Sequence, residues 1–258
     1  MNILITNDDG YDAEGISVLR NALKKAGHDV LELAPSENQS AKSHSLRISG
    51  EFELLEHGGN VYSIDGTPAD TVIFYENSYY FPDFKADLVV SGINRGLNVS
   101  SDIIYSGTCG AAREASFRGY PAIAVSCQVD RSGGGADYGL AADFLVANLD
   151  SFYSSLKRKG TMNFFLNINV PAGGRISDFK YASLTPLDYS DVINEEEEIE
   201  GDSDAEQFRI QFTHNGIKVN EECRNKDSNE MCDMDAIGKG FISVTYVRSF
   251  LDWDNSGC

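Results

Sequence analysis

Positive charge is scarce in this sequence: 21 Lys and Arg stand against 40 Asp and Glu, a formal net charge of -19. That excludes a nucleic-acid duplex or an anionic membrane as partner, because binding phosphate backbones or headgroups requires a basic footprint. A small phosphate ester stays allowed, since a metal ion can supply the local positive charge. Paired cysteines are missing too; five occur, at 109, 127, 223, 232 and 258, without a CxxC spacing. An odd count with no framework points to free thiols in a reducing compartment. Cys109 and Cys127 read as buried and inert. No apolar run is long enough to span a bilayer, and the N-terminus lacks the basic region of a signal peptide. Internal repeats and low-complexity tracts are absent. These absences predict a cytoplasmic, soluble protein, and 258 residues suffice for one α/β domain with a small appendage.

What is present alternates between strand and helix patterns. Ile3, Leu4 and Ile5 form a short apolar run that reads as a central parallel strand, ending in Asn7-Asp8-Asp9-Gly10. Residues 14–26 carry Ile16, Leu19, Leu23 and Ala26 at helical spacing, and Gly27 supplies the stop. Strands are expected at 29–34, 52–55, 61–64, 87–90, 122–126 and 163–170, the last of these closing the sheet. Helices are expected from Thr67-Pro68, over 110–117 and over 138–156. That order predicts a doubly wound, mostly parallel, Rossmann-like α/β sheet with right-handed crossovers. Beyond it, 208–212 and 217–219 read as a hairpin turned at Asn215-Gly216. The chain is thus expected to be a single domain, 1–258, with an arm at about 195–232. Glu195 to Glu198 read as a solvated acidic surface.

The chemistry converges on one sheet edge. Asp8/Asp9, the hydroxyl-rich loop 36–45 and the segment 91–98 each follow a predicted parallel strand, so all three share its carboxyl edge. Adjacent carboxylates repel unless a proton or a cation lies between them. The available donors are oxygens: Asp8, Asp9, the Ser40 hydroxyl and the Asn94 amide. Such a set suits Mg²⁺ or Mn²⁺ better than zinc. Ser106-Gly107-Thr108 precedes a helix, whose free N–H groups can receive a phosphate without Lys or Arg. Taken singly, each motif also has a plain reading: an Asx turn for Asp8, a helix cap for Ser106.

Several motifs occur together and in order: NDDG at 7–10, QS at 39–40, GTPAD at 66–70, SGINRG at 91–96 with Asn98 and Asp102, YSGT at 105–108, LNINVPAG at 166–173 and GFISVT at 240–245. By these the chain resembles the stationary-phase survival protein SurE family. The resemblance implies a metal-dependent phosphatase that hydrolyses nucleoside 5′- or 3′-monophosphates, with possible action on polyphosphate. It implies one divalent ion per subunit on Asp8, Asp9, Ser40 and Asn94, with Asp8 and Asp9 as the catalytic pair. Asn98, Ser106, Gly107 and Thr108 then surround the substrate phosphate. It further implies a homodimer or homotetramer assembled through an exchanged C-terminal hairpin. His44 and Tyr105 have two readings each: His44 protonates the leaving alcohol or orders its loop, and Tyr105 lines a base pocket or packs beneath it.

This chain departs from the family pattern at four places. Ser100 and Ser43 stand where glycines are usual, Arg47 replaces a common threonine, and 182–187 lacks the basic run that often follows the last core strand. Two rivals compete with the reading. One is a haloacid-dehalogenase-like phosphatase with an Asp nucleophile, which usually spaces its two aspartates by one residue. The other is a non-catalytic nucleotide-binding regulator.

Overall fold

The computed structural model describes residues 1–130, 132–175, 178–199, 207–219 and 231–250. By its contacts the chain divides into two units, Met1–Leu184 with Glu230–Cys258, and Thr185–Asn229.

The larger unit is built on a nine-stranded sheet: β1 (Asn2–Thr6), β2 (Asp29–Pro35), β3 (Leu54–Gly58), β4 (Val61–Ile64), β5 (Leu88–Arg95), β6 (Ala122–Cys127), β9 (Phe164–Val170), β10 (Phe179–Tyr181) and β13 (Ile242–Arg248). Two-residue strands β7 (Val129–Asp130) and β8 (Gly135–Ala136) pair separately, as do β11 (Leu187–Ile199) and β12 (Gln207–Val219). The sheet order is β10-β13-β9-β6-β5-β1-β2-β4-β3, with only β3 against β4 and β13 against β9 antiparallel. This is a doubly wound, mostly parallel α/β fold. The strand expected to close the sheet, β9, is followed by β10 and β13, which extend it.

Period-two alternation divides the core. Ile3 and Ile5 face one side with Val90, Val125 and Ile168, under helices α1 (Glu14–Lys25) and α4 (Tyr138–Lys159). Leu4 faces the other with Val89, Ala124 and Phe165, under α2 (Pro68–Asn77) and α3 (Gly107–Phe117). The chain moves from β5 to β6 and from β6 to β9 in one direction, yet α3 and α4 cover opposite faces. The α4 crossover therefore has the opposite hand to the other three, which corrects the expectation of uniform right-handedness. α2 opens with a full capping box, Thr67 and Asp70 each serving the other's backbone.

β1 lies where the direction of winding reverses: α1 carries the chain to β2 on one side, and α2 returns it to β5 on the other. The crevice beyond the carboxyl ends of β1 and β5 is the switch point at which doubly wound sheets bind ligands.

In the smaller unit, β11 and β12 pair antiparallel, Leu187 opposite Val219 and Ile199 opposite Gln207. The expected turn at Asn215-Gly216 is therefore wrong. Those residues lie inside β12, where Tyr189 pairs with Ile217 and Asp191 with His214, so two residues face one across a β-bulge. Glu195 to Glu198 are also strand residues, opposite Gln211 to Phe208. The connection at 200–206, Cys223 and Cys258 lie outside the described residues.

Candidate active site

Asp8 and Asp9 leave the end of β1 into the switch-point crevice, and the sequence around them folds tightly. The Asn7 side chain closes the loop, its Oδ1 accepting from the Gly10 N–H at 3.2 Å while its Nδ2 donates to the Gly10 carbonyl at 2.7 Å. Asp8 is 3% exposed. Its Oδ1 accepts from the Thr108 hydroxyl at 2.5 Å. The first turn of α3 lies against it: a Cβ at Gly107 would sit 2.9 Å from the Asp8 Cβ and 3.1 Å from its Oδ2. Only glycine admits that approach of carboxylate and helix N-terminus. Ser106 caps the helix, its hydroxyl accepting from the Cys109 N–H at 3.1 Å.

Asp9 Oδ2 accepts from the Arg95 N–H at 3.1 Å, which joins the β1 loop to the end of β5. Asn94 donates its Nδ2 to the Gly96 carbonyl at 3.0 Å, which leaves the amide oxygen for a ligand. The Ser40 loop is tied to the same place by the Gln39 N–H, which donates to the Asp8 carbonyl at 2.7 Å. Ser40 itself is exposed, its N–H on Asn38 Oδ1 at 3.0 Å. Asn98 is held from three sides. Its N–H donates to Asn169 Oδ1 at 2.8 Å and its Nδ2 to Ser126 Oγ at 2.8 Å, while its carbonyl accepts from Asn167 and Asn169. This explains the asparagines of the 166–173 motif, whose part in the site the sequence did not disclose.

Burial pushes the Asp8 carboxyl up to about 6, assisted by the Asp9 charge and opposed by the Thr108 hydrogen bond. Burial also raises Asp9, against the Arg95 N–H and guanidinium. Asp8 thus lacks a positive charge to stabilise its ionised form, and Arg95 offsets the burial of Asp9 only in part. Two such groups with an amide oxygen and a hydroxyl nearby fit a hard divalent cation. No three His, Cys, Asp or Glu side chains gather into a metal cluster among the described residues, so such an ion would depend on this mixed oxygen set.

His44 donates through Nε2 to Glu114 Oε2 at 2.8 Å, and Glu114 Oε1 accepts from Arg118 Nε at 2.6 Å. Burial opposes ionisation of Glu114, but the His44 and Arg118 hydrogen bonds outweigh it and hold its carboxyl low. The contact fastens the 41–46 loop to α3. Tyr105 is exposed, and its carbonyl accepts from the Ser43 N–H at 2.9 Å. Arg47 reaches Asp65 through Nη1 at 3.1 Å and lies over the Phe52 ring, so it braces its own loop. The thiols of Cys109 and Cys127 are buried and pushed up to about 12 and about 11 by desolvation, inert as expected. A cavity of about 410 Å³ opens beside Asp9, bordered by Glu14, Asn38, Arg95 and Tyr138.

Fold and site together define a doubly wound α/β protein with a cluster of oxygen donors at its switch point and a helix N-terminus turned on Asp8. The family profile described as Survival protein SurE matches residues 3–191. The chain belongs to the SurE family. It is 42% identical over 172 residues to the 5′-nucleotidase SurE of Geotalea daltonii, covering 66% of each chain. It is 32% identical over 250 residues to that of Clostridium beijerinckii, covering 95% of this chain and 92% of that one. The first of these matches spans just under two thirds of its relative. The crystal structure of the SurE protein from Aquifex aeolicus superposes with a TM-score of 0.72 at 29% identity, over 97% of this chain and 94% of that one.

Proposed function

We propose that this chain is a divalent-metal-dependent phosphatase that hydrolyses nucleoside 5′-monophosphates to nucleoside and phosphate, and 3′-monophosphates and short polyphosphates as further substrates. The observation that carries the reading is the N-terminus of α3 pressed against Asp8 through Gly107, with Thr108 bonded to its carboxylate. Asp8, Asp9, Ser40 and Asn94 would hold one Mg²⁺ or Mn²⁺. When bound, that ion supplies Lewis acidity and lowers the pKa of water. Thr108 and Asp9's partner Arg95 N–H keep the two carboxylates apart and oriented. The Gly107 and Thr108 N–H groups and the Asn98 amide stabilise negative charge on the equatorial phosphoryl oxygens. His44 orders the loop over the phosphate site through Glu114. The cavity beside Asp9 offers room for the nucleoside.

No helix among the described residues is long and apolar enough to cross a membrane, in keeping with a cytoplasmic enzyme on a soluble substrate. The paired strands β11 and β12 form an arm through which subunits assemble as a homodimer or homotetramer, since a two-stranded ribbon is marginal alone. A panel of nucleoside monophosphates and short polyphosphates, assayed with Mn²⁺, Mg²⁺ or chelator, tests the reading. Turnover of 5′-monophosphates only with metal is expected, and no turnover of any phosphate ester refutes it.

A further inference from the structure

Ser100 occupies a backbone conformation that serine seldom adopts, with φ +52°, at the start of the 3-10 turn Ser100–Ile104. It is 1% exposed. Its N–H donates to Asp233 Oδ2 at 2.6 Å and its hydroxyl to Asp233 Oδ1 at 2.8 Å. Asp233 is itself fully buried at the start of α5 (Asp233–Gly238), and Oδ1 also accepts from the Met234 N–H at 2.9 Å. No cation pairs with this carboxylate among the described residues. Burial raises its carboxyl, against the two Ser100 hydrogen bonds. A buried carboxylate without a cation is a costly way to pack a six-residue helix, so its hydrogen bonds must serve the partner.

That partner begins the segment between two phosphate-site residues. Asn98 lies two residues before Ser100, and the turn runs on through Asp102, whose carbonyl accepts from the Tyr105 and Ser106 N–H groups, to the capping Ser106 of α3. The far end of the turn has a second tie: Ser43, at φ +58°, donates its hydroxyl to the Ile104 carbonyl at 2.6 Å. Asp233 is fixed in turn by the Ser183–Cys232 bridge, with its own N–H on the Ser183 carbonyl at 3.0 Å. It lies 133 positions beyond Ser100, and the chain reaches it only after 185–229.

We propose that Asp233 is a positioning residue for the phosphate site: by clasping Ser100 in its left-handed conformation, it sets the spacing of Asn98 and the Gly107 and Thr108 N–H groups around the substrate phosphate. Where a glycine would adopt this conformation freely, the serine is held there by two hydrogen bonds, so the segment is stiffer than a glycine would leave it. The clasp takes its ligand from the phosphatase reading above.

Ser100→Ala keeps the left-handed strain without the hydroxyl, Ser100→Gly removes both, and Asp233→Asn keeps shape while weakening acceptance. Two measurements apply to each: amide hydrogen exchange across 98–106, and inhibition of aryl phosphate hydrolysis by inorganic phosphate with Mn²⁺. Ser100→Ala and Asp233→Asn are expected to speed exchange in 98–106 by about tenfold with β1 and β6 amides unchanged, the αL strain being no longer offset. The phosphate inhibition constant and KM should weaken by about tenfold in the same variants, with kcat changed less, and Ser100→Gly should recover part of the loss. Exchange and phosphate constants within about twofold of wild type in both variants, alongside a lowered Tm, would make the clasp a matter of stability alone and overturn the proposal. Exchange is read without turnover. A wild-type chain that hydrolyses nothing would therefore refute the phosphatase reading, while the exchange result still decides the clasp.

Discussion

Replacing Asp8 by Asn in metal-free protein should stabilise it, by an amount that grows with pH. Burial, the leading cause, moves the Asp8 carboxyl from 3.8 to about 6. A carboxyl whose folded value lies above its unfolded value binds more protons folded than unfolded between the two. Stability therefore falls as pH rises through that window. Above it the ionised group costs about 3 kcal/mol, at about 1.4 kcal/mol per tenfold change in proton affinity. At pH 4.5 the same relation leaves about 1 kcal/mol. Asn carries no charge and retains an oxygen to accept from Thr108. In chelator at pH 8, Asp8→Asn should melt about 6–12 °C above wild type, taking about 2–4 °C per kcal/mol for a chain of this size. That margin should shrink to a third near pH 4.5. Saturating Mn²⁺ should reverse the order, because an ion that binds only the folded wild type adds stability by mass action. Equal melting at pH 8 in chelator, or an offset independent of pH, would refute the reasoning.

Gly107→Ala should lower turnover by about 100-fold, the added Cβ displacing α3 from Asp8, while the chain still folds. Circular dichroism with steady-state kinetics checks both halves. His44→Ala should reduce kcat by less than about tenfold and leave the alkaline limb of the pH profile in place, as an ordering role requires. A loss of about 1,000-fold or more would make His44 the proton donor. A Phe208/Phe212 double alanine variant should fall apart into smaller species by light scattering. The intact chain should associate more strongly as salt screens the acidic 195–198 run. Monomers in both, or the same oligomer in both, would remove the arm from assembly.

The parallel core was legible because its strands are short apolar runs with hydrophilic ends, and because Gly27 and Thr67-Pro68 punctuate its helices unambiguously. The grouping of Asp8, Asp9, Asn94 and the Ser40 loop followed from topology alone, since residues after parallel strands share one edge. Asn215-Gly216 misled: it is the strongest short hairpin signal, yet an Asn-Gly step also suits a bulge, and the pairing of the thirteen-residue strands β11 and β12 prevailed. The hand of the α4 crossover was not legible, because local patterning carries no record of which face a helix takes. Nor was Asp233. It sits at the start of a six-residue helix too short for periodicity to mark, and its partner Ser100 is distant in sequence. Glu114 and Asn167 were hidden for the same reason: their roles are set by what the fold brings to them.

The central claim is that Asp8 and Asp9 hold a divalent ion for phosphate ester hydrolysis at the α3 N-terminus. Its most direct measurement is Mn²⁺ binding by calorimetry alongside hydrolysis of adenosine 5′-monophosphate, in wild type and Asp9→Asn. One ion per subunit and metal-dependent release of phosphate are predicted for wild type, with both nearly abolished in a variant that folds as well or better. Full activity of Asp9→Asn at saturating Mn²⁺, or undiminished wild-type hydrolysis in chelator, would contradict it.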